Sequence, residues 1–234
     1  LGDDGSRVYL DVSGAMTNVN VYTARIVSNE LDFAEDLETT CNYAIVPRPV
    51  EISWSGDENL VYNGQIQYLT VTLTGEAEGE TLVSGTDYVV TGFANAGTHN
   101  AVITFLNANY TYNDSNSHEF TIAKFDLGGI VKWTAEAEDG DKLTIDGEDI
   151  SWQYNAKSHN PVLDEIETQT DADKLFINGV EFTFSYTGAA SAVGVHTARA
   201  TLLSAVAGSV DVTDNFTVTT TKQFNITEYV IEVL

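Results

Sequence analysis

Apolar and polar residues alternate in short runs along this chain, with a period of two. In YLTVTLT at 68–74, Leu69, Val71 and Leu73 fall on one side and Thr70, Thr72 and Thr74 on the other. That is the pattern of a β-strand with one packed and one wet face. The stretch GTHNAVITF at 97–105 turns Ala101, Ile103 and Phe105 inward. GVHTARATL at 194–202 does the same with Ala198, Ala200 and Leu202, leaving Arg199 and Thr201 outside, and NVYTARIVS at 20–28 turns in Ala24 and Ile26 beside an outward Arg25. No stretch keeps helical spacing for more than about two turns. The fold class expected is all-β, with antiparallel sheets stacked in pairs as sandwiches.

Those three stretches are copies of one another, which makes the unit of design a module of under about a hundred residues. Tyr22, Tyr43 and Ile45 meet His99, Phe120 and Ile122 at a constant offset of 77. From the second copy to the third, Thr91-Gly92 meets Thr187-Gly188 at 96, Gly97 and His99 meet Gly194 and His196 at 97, and Phe120 and Ile122 meet Phe224 and Ile226 at 104. Upstream, VYNGQ at 61–65 matches QYNAK at 153–157. The third copy carries extra residues, EDGDKLTIDGED, in which Asp139-Gly140 and Asp146-Gly147 flank the short run KLTI; an added hairpin is expected there.

The order of strand, YNG turn, TLT-type strand, GTDYVVTGFANAGTHNAVITF and HEFTIAK resembles the bacterial immunoglobulin-like repeats known as MBG or YDG domains. The resemblance covers 48–123 best. It is weaker over 124–227, where Ala156 replaces the turn glycine, and partial over 1–47. It implies small β-sandwiches strung in tandem in large secreted or surface-anchored proteins, and no catalytic motif comes with it. The expected organisation is a partial immunoglobulin-like module at 1–47, a complete one at 48–123, a complete one with the inserted hairpin at 124–228, and an orphan strand at 229–234. That strand reads as the start of a further module in a longer repeat protein, or as a strand donated head to tail to the open edge of another copy. The junctions at 45–54 and 122–133 leave almost no linker, which predicts a stiff or semi-stiff rod.

Charge narrows the partners. With 35 acidic and 10 basic side chains the formal net charge is -25, which repels nucleic acid and anionic lipid within a Debye length of about 8 Å. No apolar run approaches the roughly 18 residues of a membrane span. The single cysteine, Cys41, rules out an internal disulfide framework and is expected to be a buried thiol in a strand.

Little in the chain selects a chemistry. GxSxG, phosphate-cradling and dinucleotide motifs are absent, and no enzyme activity is expected. His99 and His196 share a repeat position with Tyr22, which favours a structural ring with a polar edge over a metal ligand. Asp139, Asp141, Asp146, Glu148 and Asp149, with Asp171 and Asp173, supply oxygen ligands densely enough to be calcium candidates, although no loop has EF-hand spacing. Trp152, beside the insertion, is the candidate ligand platform for a sugar, while Trp54 and Trp133 read as core rings. The sequons at Asn109, Asn113, Asn215 and Asn225 are about as many as 17 asparagines give by chance and carry no weight. No cofactor is required. The function expected is a non-catalytic extracellular or cell-surface structural module, a stalk, spacer or filament building block. Its partners would be neighbouring modules or copies of itself, another surface protein or a glycan; the alternative is a carbohydrate- or calcium-binding module.

Overall fold

The computed structural model describes residues 16–27, 38–164, 166, 176–218 and 220–230. In chain order the strands are β1 (Asn20–Val27), β2 (Glu38–Ile45), β3 (Arg48–Ser55), β4 (Thr70–Thr74), β5 (Tyr88–Val90), β6 (Gly97–Phe105), β7 (Tyr110–Tyr112), β8 (Ser117–Ile122), β9 (Phe125–Asp126), β10 (Trp133–Thr134), β11 (Leu143–Asp146), β12 (Asp149–Gln153), β13 (Val162–Leu163), β14 (Val180–Thr187), β15 (Gly194–Ala207), β16 (Val210–Asp211), β17 (Phe216–Thr217) and β18 (Thr220–Thr227). The described residues contain no α-helix; short 3-10 turns occur at Leu127–Gly129 and Thr213–Asn215. The chain is therefore all-β, built of several small antiparallel and mixed sheets. The expected facing patterns are present: Ala101, Ile103, Ala198 and Ala200 are buried, Leu69 is buried, and Thr70, Thr72, Thr74, Arg199 and Thr201 are exposed.

Two compact units divide the chain. One consists of Leu1–Gly56, Tyr68–Thr91 and Asn100–His118, the other of Asp57–Gln67, Gly92–His99 and Glu119–Leu234. Both draw on more than one of the repeats.

In the first unit β1 and β2 form an antiparallel ribbon with Tyr22 opposite Tyr43. Two residues, Val46 and Pro47, separate it from β3, which lies between antiparallel β4 and parallel β7. The parallel pairing sets Arg48 opposite Tyr110 and Val50 opposite Tyr112. Apolar burial holds this unit through Val50, Leu69, Tyr88, Ala101, Ile103 and Tyr110. Burial does not extend to Cys41: the thiol is exposed, against the expectation of a buried one. It sits opposite Ala24 in a ribbon that has two strands among the described residues, so no described strand beyond β1 shelters it.

In the second unit the main sheet runs β11-β12-β18-β15-β14, with β16 paired to β15. The added hairpin is present: Leu143 pairs with Trp152 and Asp146 with Asp149, and Gly147 takes the left-handed φ of 60° that the tight connection needs. Two apolar clusters form. One gathers Ala135, Ile150, Trp152, Ala198, Phe224 and Ile226; the other centres on Leu127, Ile177, Ala205 and Phe216. Two residues, Ala123 and Lys124, separate β8 from β9, which pairs in parallel with β17, Phe125 opposite Phe216.

Candidate functional site: the joints between repeats

The repeat register read from sequence becomes geometry three times. Tyr22 and Tyr43 have ring centroids 5.6 Å apart, His99 and Phe120 5.7 Å, and His196 and Phe224 5.5 Å. In each copy the polar edge of the first ring reaches back four residues. The Tyr22 hydroxyl donates to the Asn18 carbonyl at 2.8 Å, and His99 Nε2–H and His196 Nε2–H donate to the carbonyls of Asn95 and Ala192, both at 2.7 Å. A ring pinned to the carbonyl four positions earlier holds the loop at the start of each strand in one shape. Gly97 and Gly194 confirm the match with φ of 135° and 136°.

That loop is where one repeat receives the next. In the first unit, Asn109 Oδ1 accepts the backbone N–H of Val19 at 2.8 Å, and Asn109 Nδ2 donates to Asn18 Oδ1 at 3.0 Å. In the second unit, Asn215 Oδ1 accepts the N–H of Ala96 at 2.7 Å, and Asn215 Nδ2 donates to Asn95 Oδ1 at 3.2 Å. Asn18 and Val19 stand 77 positions before Asn95 and Ala96, so the same clasp is built twice. Each time an asparagine from the later repeat satisfies a backbone donor of the earlier one, and its amide supplies both the acceptor and the donor that the arrangement uses. The residue after the clasp, Tyr110 or Phe216, is buried and pairs with the opening strand of its own repeat.

The second joint also has an apolar part. Tyr62, from the YNG turn, meets Phe176 and Phe216 edge-on at 5.4 and 5.3 Å, and Phe125 meets Phe176 at 5.2 Å. Burial pushes the Tyr62 phenol above its ordinary pKa, partly offset by its hydrogen bond with the Asn215 side chain. Gly64, at φ 74°, lies so close that a Cβ there would stand 2.4 Å from Phe176 Cβ. Lys124 and Asp214 add an exposed ion pair at 3.3 Å, which contributes little.

Residues singled out from sequence sit elsewhere. Trp152 is 2% exposed, stacked on His159 at 5.0 Å and edge-on to Phe224; it is a core ring and offers no face to a sugar. Asp141 is drawn into the same interior. Its carboxylate accepts from Asn155 Nδ2 at 2.6 Å and from the Glu138 N–H at 3.0 Å, and lies 3.4 Å from Lys157 Nζ and 3.7 Å from His159 Nδ1. Burial raises its pKa, but the Glu138 N–H, Lys157 and His159 outweigh that and hold it below the ordinary value. Of the other calcium candidates, Asp139 gives its backbone carbonyl to Lys157, Asp146 and Asp149 pair at the hairpin end, and Glu148 lies 3.7 Å from Lys222. Among the described residues no three His, Cys, Asp or Glu side chains are grouped to hold a metal ion. Asp171 and Asp173 lie outside the described residues. Trp54 is half-buried and stacks on His118, and Trp133 donates from Nε1 to Thr220 Oγ1 at 3.0 Å.

Sequence reasoning missed Asn109 and Asn215, discounted there as chance sequons. A signal was present: NYT at 109–111 and NFT at 215–217 fall at matching places in two repeats, 106 apart. No protein-family model, curated protein or solved structure matches the chain.

Proposed function

We propose that the chain is a tandem array of immunoglobulin-like β-sandwich modules of an extracellular or cell-surface protein, acting without catalysis as a stalk, spacer or filament building block. The observation that carries this reading is the asparagine clasp built twice at equivalent positions. A chain that places side-chain amides at equivalent positions to join one repeat to the next is organised around transmitting position along itself. The two-residue connections at Val46-Pro47 and Ala123-Lys124 support the same reading, because so short a link leaves neighbouring repeats little independent motion. Among the described residues, buried Trp152 and the absence of three grouped metal-ligating side chains give the alternative sugar- or calcium-binding module no support.

The test is backbone ¹⁵N relaxation on the whole chain beside Asn215→Ala combined with Tyr62→Ala. Wild-type residues on the two sides of the second joint should report one common tumbling time, and the variant two. Separate tumbling already in the wild type would remove the spacer reading.

A further inference from the structure

A groove of about 530 Å³ lies between β4 and β5 in the first unit, with Tyr68, Leu69 and Val71 on one wall and Tyr88, Val89 and Val90 on the other. We propose that it binds an extended cationic peptide of a partner protein, which adds as a further strand to the free edge of β4. The proposal goes beyond the spacer reading and does not rest on it, because every residue it uses lies within one repeat.

Among the described residues β4 pairs with β3 alone and β5 with β6 alone, so each has a free edge. The pairing fixes where the backbone groups point. The Arg48 N–H donates to the Asn109 carbonyl and the Val50 carbonyl accepts from Asn113, so the even-numbered residues at the start of β3 face β7. Successive residues of a strand send these groups to opposite sides. Glu51, Ser53 and Ser55 therefore bond Thr74, Thr72 and Thr70, and Val71 turns its N–H and C=O outward. On the other wall the Thr91 N–H donates to Val102 and the Leu106 N–H to Asp87, so Val90 points away from β6 in the same way. Among the described residues no partner meets the backbone N–H or C=O of Leu69, Val71 or Val90, although Leu69 is only 4% exposed. Unpaired backbone groups so placed are a template for another strand. The edge of β5 is partly taken, since the Gly85 N–H donates to the Tyr88 carbonyl at 2.7 Å; that of β4 is open.

Side chains and charge select the occupant. Leu69 and Tyr88 are buried, and Val71 and Val90 half-buried, so the groove has an apolar floor. Tyr68 and Val89, 58% and 40% exposed, stand at its opening. A strand added to β4 turns alternate side chains toward that floor and the others toward water; the first set suits apolar residues. The second set meets a strongly negative surface. Over the first unit's part of this repeat, 48–56, 68–91 and 100–118, there are six carboxylates and one basic residue, Arg48, and Glu76 and Glu78 come just after the end of β4. Lysine or arginine in the alternate positions is therefore attracted, while a second copy of this chain, with its own net charge of -25, is repelled.

The test is a titration of the ¹⁵N-labelled whole chain with a short blocked peptide of alternating lysine and valine, followed by amide chemical shifts. Shifts should concentrate at Tyr68–Val71 and Ser84–Val90, and raised salt should weaken them by screening. The same peptide N-methylated on the amides of one edge should lose at least about tenfold in affinity for one choice of edge and keep it for the other, because only one edge pairs with β4. Val89→Lys, which sets a cation at the groove, should weaken binding to a similar degree, whereas Val210→Lys, an exposed valine of the second unit, should not. Val71→Pro removes the free N–H at an edge where proline is tolerated and should act like Val89→Lys; far-ultraviolet circular dichroism checks that all three variants remain folded. Absence of shifts in the groove overturns the proposal, as does equal binding of both N-methylated peptides or of a peptide with glutamate in place of lysine. Shifts at the same residues on concentrating the chain without peptide would make a second copy the occupant and overturn it too. None of these results touches the relaxation test of the second joint.

Discussion

Replacing Asn215 by alanine tests the clasp most directly. Asn215 is 4% exposed and its side chain makes three hydrogen bonds across the joint, from the Ala96 N–H at 2.7 Å, to Asn95 Oδ1 at 3.2 Å and with the Tyr62 side chain. Each contributes about 0.5–1.5 kcal/mol net, and a buried donor left unpaired adds part of about 1–3 kcal/mol. Alanine cannot replace the acceptor for Ala96, so the loss should be about 2–4 kcal/mol. For a chain of this length that corresponds to roughly 5–15 °C in melting temperature. Asn215→Asp keeps the acceptor but sets two acceptors against each other at Asn95, and should fall between alanine and wild type. The assay is differential scanning calorimetry with Asn225→Ala as control, since Asn225 is exposed in β18 and belongs to a sequon of the same form. If Asn215→Ala and Asn225→Ala melt together, the clasp contributes nothing and the reasoning fails.

Three further outcomes follow from the same geometry. Gly64→Ala should destabilise the second unit well beyond Gly79→Ala: both positions have left-handed φ, 74° and 81°, but only at Gly64 does a Cβ meet another atom, Phe176 Cβ at 2.4 Å. Equal losses in urea midpoint would show that Phe176 yields freely. Asp141 has a folded-state pKa below its ordinary 3.8, so its contribution is present above that value and is lost as pH falls through the lowered one. Asp141→Asn should therefore cost stability at neutral pH, and the gap to wild type should close on acidification; a gap constant with pH would contradict the assignment. Cys41, being exposed, should react with a maleimide in the native chain, and labelling only after denaturation would place it in a core.

Much of the fold was legible because it rests on local pattern. Alternation in 97–105 and 194–202 marks the strands and their inward faces, and the offsets of 77, 97 and 104 put Tyr22 and Tyr43, His99 and Phe120, and His196 and Phe224 at equivalent positions, although only the structure shows that the two rings of each pair meet. The hairpin was legible from Asp146-Gly147. What escaped depends on pairing between distant segments. Cys41 looked like a core thiol because its strand looks like the others, and only the sheet order shows that, among the described residues, two strands stand alone there. Asp141 looked like one carboxylate among many; its distinction comes from Asn155, Lys157 and His159, brought to it by the turn that follows β12. Trp152 looked like a surface ring beside an insertion, whereas the inserted hairpin pairs along its own strand and helps to bury it. The clasp is hidden in the sequence because an asparagine before an aromatic and a threonine matches a common modification signal, and because its partners lie 90 and 119 positions away.

The dipeptides Asn109-Tyr110 and Asn215-Phe216 have a consequence for the order in which the chain matures as it is made. The opening strand of each repeat emerges early but pairs in parallel with a strand made much later, Arg48 with Tyr110 and Phe125 with Phe216. Until that late strand arrives the repeat stays unclosed. When it arrives, the aromatic completes its own repeat and the asparagine beside it seizes the repeat already finished. Closure and attachment are thus expected to coincide, and the chain to mature as a zipper running in the direction of synthesis, each tooth locking the one before it.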